Sequence, residues 1–370
     1  MLTGKKRMLN AYKGIADDRA PVAPEFWNYY PAKVLGVSMI EFEREIPFWK
    51  ALKTVFEMYE CEGFAAAFPN ICNENLDIKR KIDGYRETTT FNYKGNRFES
   101  WKMYDKVEPC WVTRHLSEDI RDFPLVLEML LDMDNEFDYE SLENDYIGAG
   151  ESFLLELWCG VPFFDFIAEN MGFQNAVYYF QDEDEAVLYR YRERYIEYQK
   201  RMVRKMVQHT SFESFMIGCS YSCNSLIGTT MWRKWDKPYL KEICEEVHKY
   251  GKLLHVHFHG KSLNTVSDFA ELKLDCVCPF EKPPGGDIQG MEGLRRVRNL
   301  LNDQVTMNGN VHTVETLIRG TTEDVRKEVR MIKKAFEGSS RYIIGTGDQV
   351  GRETPKENII AMIDEAKILS

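Results

Sequence analysis

The chain has 370 residues, 44% of them hydrophobic, which is enough to bury a large core. Its formal net charge of -11 and its pI near 5.3 argue against a surface for nucleic acid or for anionic membranes. We expect neither a membrane span nor a signal peptide, because the apolar runs are too short. Nine cysteines without paired spacing predict reduced thiols, and we therefore expect a cytoplasmic enzyme.

Short apolar runs alternate with long amphipathic segments along most of the chain. This alternation predicts an α/β fold, a TIM (β/α)8 barrel, with residues 1–370 forming a single domain. The eight runs lie at 21–26, 63–68, 152–158, 214–219, 253–259, 275–280, 304–310 and 341–347.

The helices of the second half carry clear end signals. We predict helices over 182–209, 237–252 and 321–336, with acidic or proline-containing starts and basic ends. The last helix is predicted to begin with Thr354 as its N-cap and Pro355 at its first helical position.

One region interrupts the alternation. Residues 85–113 are rich in threonine and aromatic residues around the turn "KGN", and they predict an antiparallel hairpin after the second barrel strand. Residues 117–150 are acidic and predicted to be helical. We therefore expect an insertion at about 85–150 that acts as a hairpin and helical lid over the barrel mouth.

The active site of a TIM barrel lies at the carboxyl ends of its strands, so the residues found there are the candidates. Their chemistry is rich in imidazole, carboxylate and aromatic groups. They are Glu25, Trp158, Tyr221, His257, His259, Glu281, Asn310 and Asp348.

The stretch "LLHVHFHGK" places His255, His257 and His259 at every second position. Side chains with this period share one face of a strand, and here that face is the barrel interior. We expect His257 and His259 to bind a metal ion together with Glu281 and Asp348. The alternative is that these histidines are core residues with satisfied hydrogen bonds, which we favour for His255.

Cys276 and Cys278 also share a strand face. They can serve as metal ligands, but packing as small hydrophobic side chains is the favoured interpretation.

Several segments resemble the uroporphyrinogen decarboxylase superfamily over nearly the whole chain. They are "GKLLHVHFHGK", "CPFEKPPGGDIQ", "MNGNVHTVETLIRGTTEDVRKEV", "YIIGTGDQVGRETPKENIIAMIDEA" and, near the start, "RAPVAPEFWNYYPAKVLGVSMIEFE". True decarboxylases of this superfamily carry an early arginine-rich stretch that binds propionates. The corresponding segment here, "FWNYYPAKVLG", has no arginine.

The resemblance is closest in kind to the corrinoid-dependent methyltransferases. It implies a zinc site at His257, His259, Glu281 and Asp348, with histidine and aspartate where the relatives have cysteine. It also implies catalytic roles for His257, His259 and Glu281, and substrate contacts from Glu25, Trp158, Tyr221 and Asn310. Two imidazoles with oxygen ligands form a harder metal centre, which suits activation of a methyl ether.

The resemblance further implies a partner. The chain lacks the Asp-x-His-x-x-Gly motif for corrinoid binding, so cobalamin is expected on a separate corrinoid protein. A homodimer is the candidate assembly. Two alternatives remain open: a decarboxylase-like lyase, and a tetrapyrrole- or metal-binding protein without catalysis.

Overall fold

The computed structural model describes residues 2–369 of the chain. Its strands are β1 (Val22–Ala23), β2 (Phe64–Ala67), β3 (Ile71–Cys72), β4 (Leu76–Asp83), β5 (Arg86–Tyr93), β6 (Asn96–Met103), β7 (Trp111–Arg114), β8 (Glu136–Phe137), β9 (Leu154–Trp158), β10 (Ser214–Cys219), β11 (Leu253–Phe258), β12 (Cys276–Pro279), β13 (Thr306–Val311) and β14 (Tyr342–Thr346).

The helices surround and connect these strands. They are α1 (Gly4–Lys13), α2 (Tyr29–Leu35), α3 (Met39–Glu45), α4 (Phe48–Tyr59), α5 (Phe123–Leu130), α6 (Tyr139–Ala149), α7 (Phe163–Met171), α8 (Phe173–Asp182), α9 (Glu185–His209), α10 (Gly228–Trp235), α11 (Lys237–Lys249), α12 (Val266–Leu272), α13 (Gly290–Leu301), α14 (Thr322–Ala335) and α15 (Lys356–Lys367), with a π-helix at Thr313–Ile318.

Eight strands form one parallel sheet. Pairing runs from β1 to β14, then through β13, β12, β11, β10 and β9 to β2. This is the strand order of a TIM barrel, and each of the eight predicted apolar runs overlaps one of these strands. The prediction of an α/β fold of TIM-barrel type is confirmed at this level.

The two faces of the sheet contribute to different hydrophobic clusters. Val256 and Phe258 of β11 belong to the outer cluster between sheet and helices, where Phe258 contacts the Trp232 ring edge-on. The inner cluster fills the barrel and contains Met216, Cys276 and Cys278, together with four residues of α1, namely Met8, Leu9, Ala11 and Tyr12. The first helix therefore packs its buried face against the inside of the barrel.

The insertion after β2 differs in detail from the prediction. Instead of a hairpin over 85–113, β4 to β7 form a four-stranded antiparallel sheet that begins at Leu76. The segment predicted as helical, 117–150, contains α5 and α6 but also β8, which pairs antiparallel with β3. Strand β4 was missed because its sequence, "LDIKRKID", is mostly charged and contains no continuous apolar run; the strand is exposed along almost its whole length.

The ends of the predicted helices are close to those observed. Helix α14 begins with a reciprocal capping box between Thr321 and Asp324. Helix α15 begins one residue later than predicted, since Pro355 is its N-cap and Lys356 its first residue. Among the described residues, no helix combines the length and the hydropathy that crossing a membrane requires.

Candidate active site

The loops that follow four barrel strands converge on one end of the sheet. His257 lies within β11 and His259 directly follows it, while Glu281 follows β12 and Asp348 follows β14, each by two residues. Glu25 lies two residues beyond β1. The parallel pairing makes these carboxyl ends neighbours, and this is the end where barrel enzymes place their chemistry.

Three of the four predicted ligands form a group with the spacing of a metal site. One donor atom each from His257, His259 and Asp348 lies within 4.8 Å of the other two. The rings of the two histidines are neighbours, with centroids 4.4 Å apart. The structure therefore brings these three side chains together; strand parity predicted only the shared direction of the two histidines.

Glu281 makes a different contact from the one predicted. Its Oε1 lies 3.0 Å from Nδ1 of His259 and accepts the backbone N–H of Gly260 at 2.8 Å. In the described residues it is absent from the group of converging donors. The geometry therefore makes Glu281 the side chain that orients the His259 ring, because a partner on one ring nitrogen fixes the direction of the other.

His257 has an unsatisfied polar atom. Its side chain is buried, and Nε2 has no hydrogen-bond partner among the described residues. The nearest acidic atom is Oε1 of Glu25 at 3.7 Å, too far for a hydrogen bond. A buried polar atom without a partner is unfavourable, and a bound cation would satisfy it.

A second group of donors lies beside the first. Glu25, His257 and Cys278 are all buried, and one donor atom from each lies within 4.8 Å of the others. His257 and Cys278 are register partners in the pairing of β11 with β12. Cys278, favoured as a packing residue from the sequence, thus lies among potential ligands.

Burial and mutual charge shift the titration of the site. Burial and the nearby charge of Asp348 raise the pKa of Glu25 to about 8. Burial lowers the pKa of His257 well below its usual value, and the positive charge of His259 acts in the same direction. For His259, burial is outweighed by the hydrogen bond to Glu281 and by the charges of Asp348 and Glu25, which raise its pKa to about 9. Excess buried negative charge is the environment that favours a cation.

The backbone of Asp348 is strained. Its φ of 138° is a conformation that residues with a Cβ rarely adopt. Its Oδ1 accepts the backbone N–H of Gln349 at 2.6 Å, which helps to hold the turn. Strain of this kind is retained mainly at functional positions.

The donor groups open into a cavity of about 550 Å³ that includes solvent-exposed space. Trp158 forms one wall, held between the backbone of Gly218 and the ring of Phe68. A Cβ on Gly218 would lie 2.4 Å from the Trp158 ring, so this close approach requires glycine. The lining comprises Glu25, Trp27, Trp158, Gly218, Ser220, His257, His259, Asp348 and Gln349.

Two predicted substrate contacts lie outside this lining. Tyr221 stacks on Phe173 with ring centroids 5.5 Å apart, and its backbone N–H donates to Asp165. Asn310 is fully buried, and its Nδ2 donates to the carbonyl of Phe280 at 3.0 Å. That contact supports the loop leading to Glu281. Glu25 and Trp158, by contrast, line the cavity.

A buried polar chain below the cavity was not predicted. Nδ1 of His255 lies 2.8 Å from Glu156 and 3.1 Å from the hydroxyl of Tyr12, while Nε2 lies 3.0 Å from Sγ of Cys278. Ser214 donates to the other oxygen of Glu156 at 2.6 Å. His255 thus has partners on both nitrogens, in agreement with the core role favoured for it. Glu156, an acidic residue inside the apolar run 152–158, was the available signal.

Comparison with solved structures supports the fold. A methyltransferase from Methanosarcina mazei matches with a TM-score of 0.65 at 16% identity, covering 99% of this chain and 98% of that one. A Bacteroides ovatus GH5 xyloglucanase matches with a TM-score of only 0.37 at 8% identity, covering 83% of this chain and 98% of that one. The first likeness shows a shared fold over the full length, and the second is too weak to carry an argument.

Comparison at the level of sequence identifies the family. No curated protein sequence is significantly similar to this chain. The family model described as uroporphyrinogen decarboxylase (URO-D) matches residues 178–369, more than half of the chain. The matched part includes both histidines of the donor group, Glu281 and Asp348. The chain therefore belongs to the uroporphyrinogen decarboxylase family.

Proposed function

We propose that this protein is a zinc-dependent methyltransferase that moves a methyl group between a small methylated substrate and a corrinoid on a separate protein. The proposed reaction class is that of the structurally similar protein from Methanosarcina mazei, which is described as a methyltransferase. One observation carries the proposal, namely the convergence of His257, His259 and Asp348 within 4.8 Å at the mouth. Methyl ethers are the proposed substrate class because this donor set lacks thiolate and is comparatively hard.

The residues present fit a zinc ion. Zinc accepts imidazole nitrogen and carboxylate oxygen, and catalytic sites often have three protein ligands and one open position. Nε2 of His257 has no hydrogen-bond partner among the described residues, and the pKa of Glu25 is raised. Both features favour the binding of a cation at this site. The chemistry that such an ion supplies is polarisation of the substrate oxygen, which stabilises it as the methyl group departs.

The side chains around the donors prepare the site. Glu281 holds the His259 ring through Nδ1, so that Nε2 is left free for a ligand bond. Trp158 and Trp27 give the cavity aromatic walls that exclude water beside the donors, and Trp27 meets the His257 ring edge-on with centroids 6.2 Å apart. These walls suit a small substrate with an apolar body.

The insertion is proposed to act as the lid. Its loop before β7 is held at the rim, where Arg352 donates to the carbonyl of Val107 at 2.6 Å and Tyr29 donates to Glu108 at 2.7 Å. Arg352 is in the loop that carries Asp348. These contacts to the segments after β1 and β14, which also carry Glu25 and Asp348, support the proposed role of the insertion.

The corrinoid partner and the substrate are tested together by one assay. Purified protein with zinc is mixed with a methyl ether, and transfer is followed by the spectrum of cob(I)alamin as it becomes methylated. We expect activity that requires zinc and is lost in His257→Ala and His259→Ala, with metal content lost in His257→Ala and lowered in His259→Ala. Full metal content in His257→Ala, or full activity of metal-free protein, would contradict the proposal.

A decarboxylase-like reaction on a carboxylated tetrapyrrole has less support. The cavity lining contains no arginine or lysine among the described residues, so it offers no cation to pair with propionate groups. Binding of a porphyrin or corrinoid without turnover in the same assay would instead favour a non-catalytic binding protein.

A further inference from the structure

Beside the cavity lies a second donor set, which shares only His257 with the proposed zinc site. The side chain of Cys278 lies beside Glu25 and His257, and one donor atom of each residue lies within 4.8 Å of the other two. Cys278 and Glu25 are 1% and 5% exposed, so neither is satisfied by bulk water. A soft sulfur donor with one nitrogen and one oxygen is a combination that zinc binds readily.

The spacing between two of these groups fits a shared cation. Nε2 of His257 lies 3.7 Å from Oε1 of Glu25 with no hydrogen bond between them. Two ligand atoms bound about 2.1 Å from one tetrahedral ion lie roughly 3.4 Å apart. The two atoms therefore need little movement to bind the same ion.

Cys278 is held in place from below. Its Sγ lies 3.0 Å from Nε2 of His255, and the other nitrogen of His255 is held by Glu156 and Tyr12 at 2.8 and 3.1 Å. This chain fixes the position of the sulfur before any ion arrives. Cys276, on the same strand face and fully buried, belongs to neither donor group and serves as a matched comparison.

We propose that Cys278, Glu25 and His257 form an inner cation position that adjoins the outer group of His257, His259 and Asp348. The two positions share His257, so one zinc ion occupies one position at a time. The thiol proton is released to solvent as the ion binds. This inference rests on the proposed metal-dependent function, and it places Glu25 among the ligands.

The test uses zinc and cobalt(II) bound to the purified full-length protein. X-ray absorption of the zinc protein should show one sulfur neighbour at about 2.3 Å among nitrogen and oxygen neighbours. Cobalt(II) should give a thiolate charge-transfer band in the near ultraviolet. Both signals should persist in Cys276→Ser and vanish in Cys278→Ser, because the outer group supplies only nitrogen and oxygen ligands.

The possible results distinguish failure of the inner cation position from failure of the outer zinc site. One equivalent of zinc that depends on His257 but has only nitrogen and oxygen neighbours would overturn the inner position and leave the outer zinc site standing. A sulfur signal that persists in Cys278→Ser would also overturn it. Zinc binding that is unaffected by His257→Ala would overturn both. The wild-type spectra decide the matter even if Cys278→Ser fails to fold.

Discussion

Oε1 of Glu281 lies 3.0 Å from Nδ1 of His259, so one predicted ligand contacts another directly. We expect Glu281→Gln to lower zinc affinity by about 10- to 100-fold, the usual cost of losing such a partner. It should also lower the pKa of His259 from about 9, because the carboxylate is one cause of that rise. Competition with a chelator and NMR titration of the metal-free protein measure the two effects.

The control for that variant is Glu292→Gln, which changes an exposed residue in the first turn of α13. It should leave both quantities unchanged. Loss of zinc from Glu281→Gln as complete as from His259→Ala would show that Glu281 is itself a ligand.

Zinc affinity should rise with pH. His259 binds a proton up to about pH 9, and the ion must displace that proton before it can bind the ring. The raised pKa of Asp348 acts in the same direction, whereas His257 is already neutral because burial lowers its pKa. Each proton displaced gives up to about tenfold tighter binding per pH unit. Chelator competition at several pH values measures the slope, which should become smaller in His259→Gln; a flat profile in the wild type would contradict this account.

The strained backbone at Asp348 should lower the stability of the fold, although its side chain is proposed to bind zinc. Replacement by glycine relieves the strain at φ 138°, whereas replacement by alanine keeps it. Asp348→Gly should therefore be more stable to urea than Asp348→Ala by about 1 to 3 kcal/mol, while both variants bind zinc more weakly. Equal stability of the two variants would show that the turn carries no such strain.

Gly218 should control the shape of the cavity without affecting the metal. In Gly218→Ala the new Cβ collides with the Trp158 ring and pushes it from its position. Loss of a single wall contact worth about 1.4 kcal/mol would raise KM about tenfold, with zinc content unchanged. Adding Trp158→Phe, which makes room for the Cβ, should recover part of the loss. Zinc loss in Gly218→Ala would contradict the separation of wall and ligands.

The lid proposal predicts a local effect from Arg352. Arg352→Ala removes the bond to the carbonyl of Val107, and amide exchange in the loop 104–110 should accelerate up to about tenfold. Arg319→Ala removes an exposed pair with Glu315, remote from the insertion, and should leave this loop unchanged. Hydrogen–deuterium exchange read by mass spectrometry distinguishes the two. An unchanged loop in Arg352→Ala would mean that other contacts hold the insertion.

The barrel could be predicted because its strands are buried on both faces and are therefore apolar along their length. The inward direction of His255, His257 and His259 followed from the period of two in a strand, and the buried neighbours Val256 and Phe258 confirm it. The insertion was located, but its four-stranded sheet was not predicted, because strand β4 is mostly charged and exposed and contains no continuous apolar run.

The details of the site depended on information that one sequence does not contain. The proximity of Cys278 to His257 is set by the register of two strands. The contact of Glu281 depends on the loop that turns it back toward His259 and Gly260. Asn310 and Tyr221 lie near strand ends, as the sequence indicated. Asn310 donates to the carbonyl of Phe280 and Tyr221 stacks on Phe173, and their positions along the chain did not reveal these contacts.

Helix α1 packs Met8, Leu9 and Tyr12 into the barrel interior, and the hydroxyl of Tyr12 reaches His255 beneath the donors. In the described residues, helix α1 thus fills the part of the barrel that lies beneath the donor groups. For the proposed reaction, the small methyl donor and the bulky corrinoid carrier would both approach the donor groups from the cavity side. They would therefore bind there one after the other or side by side.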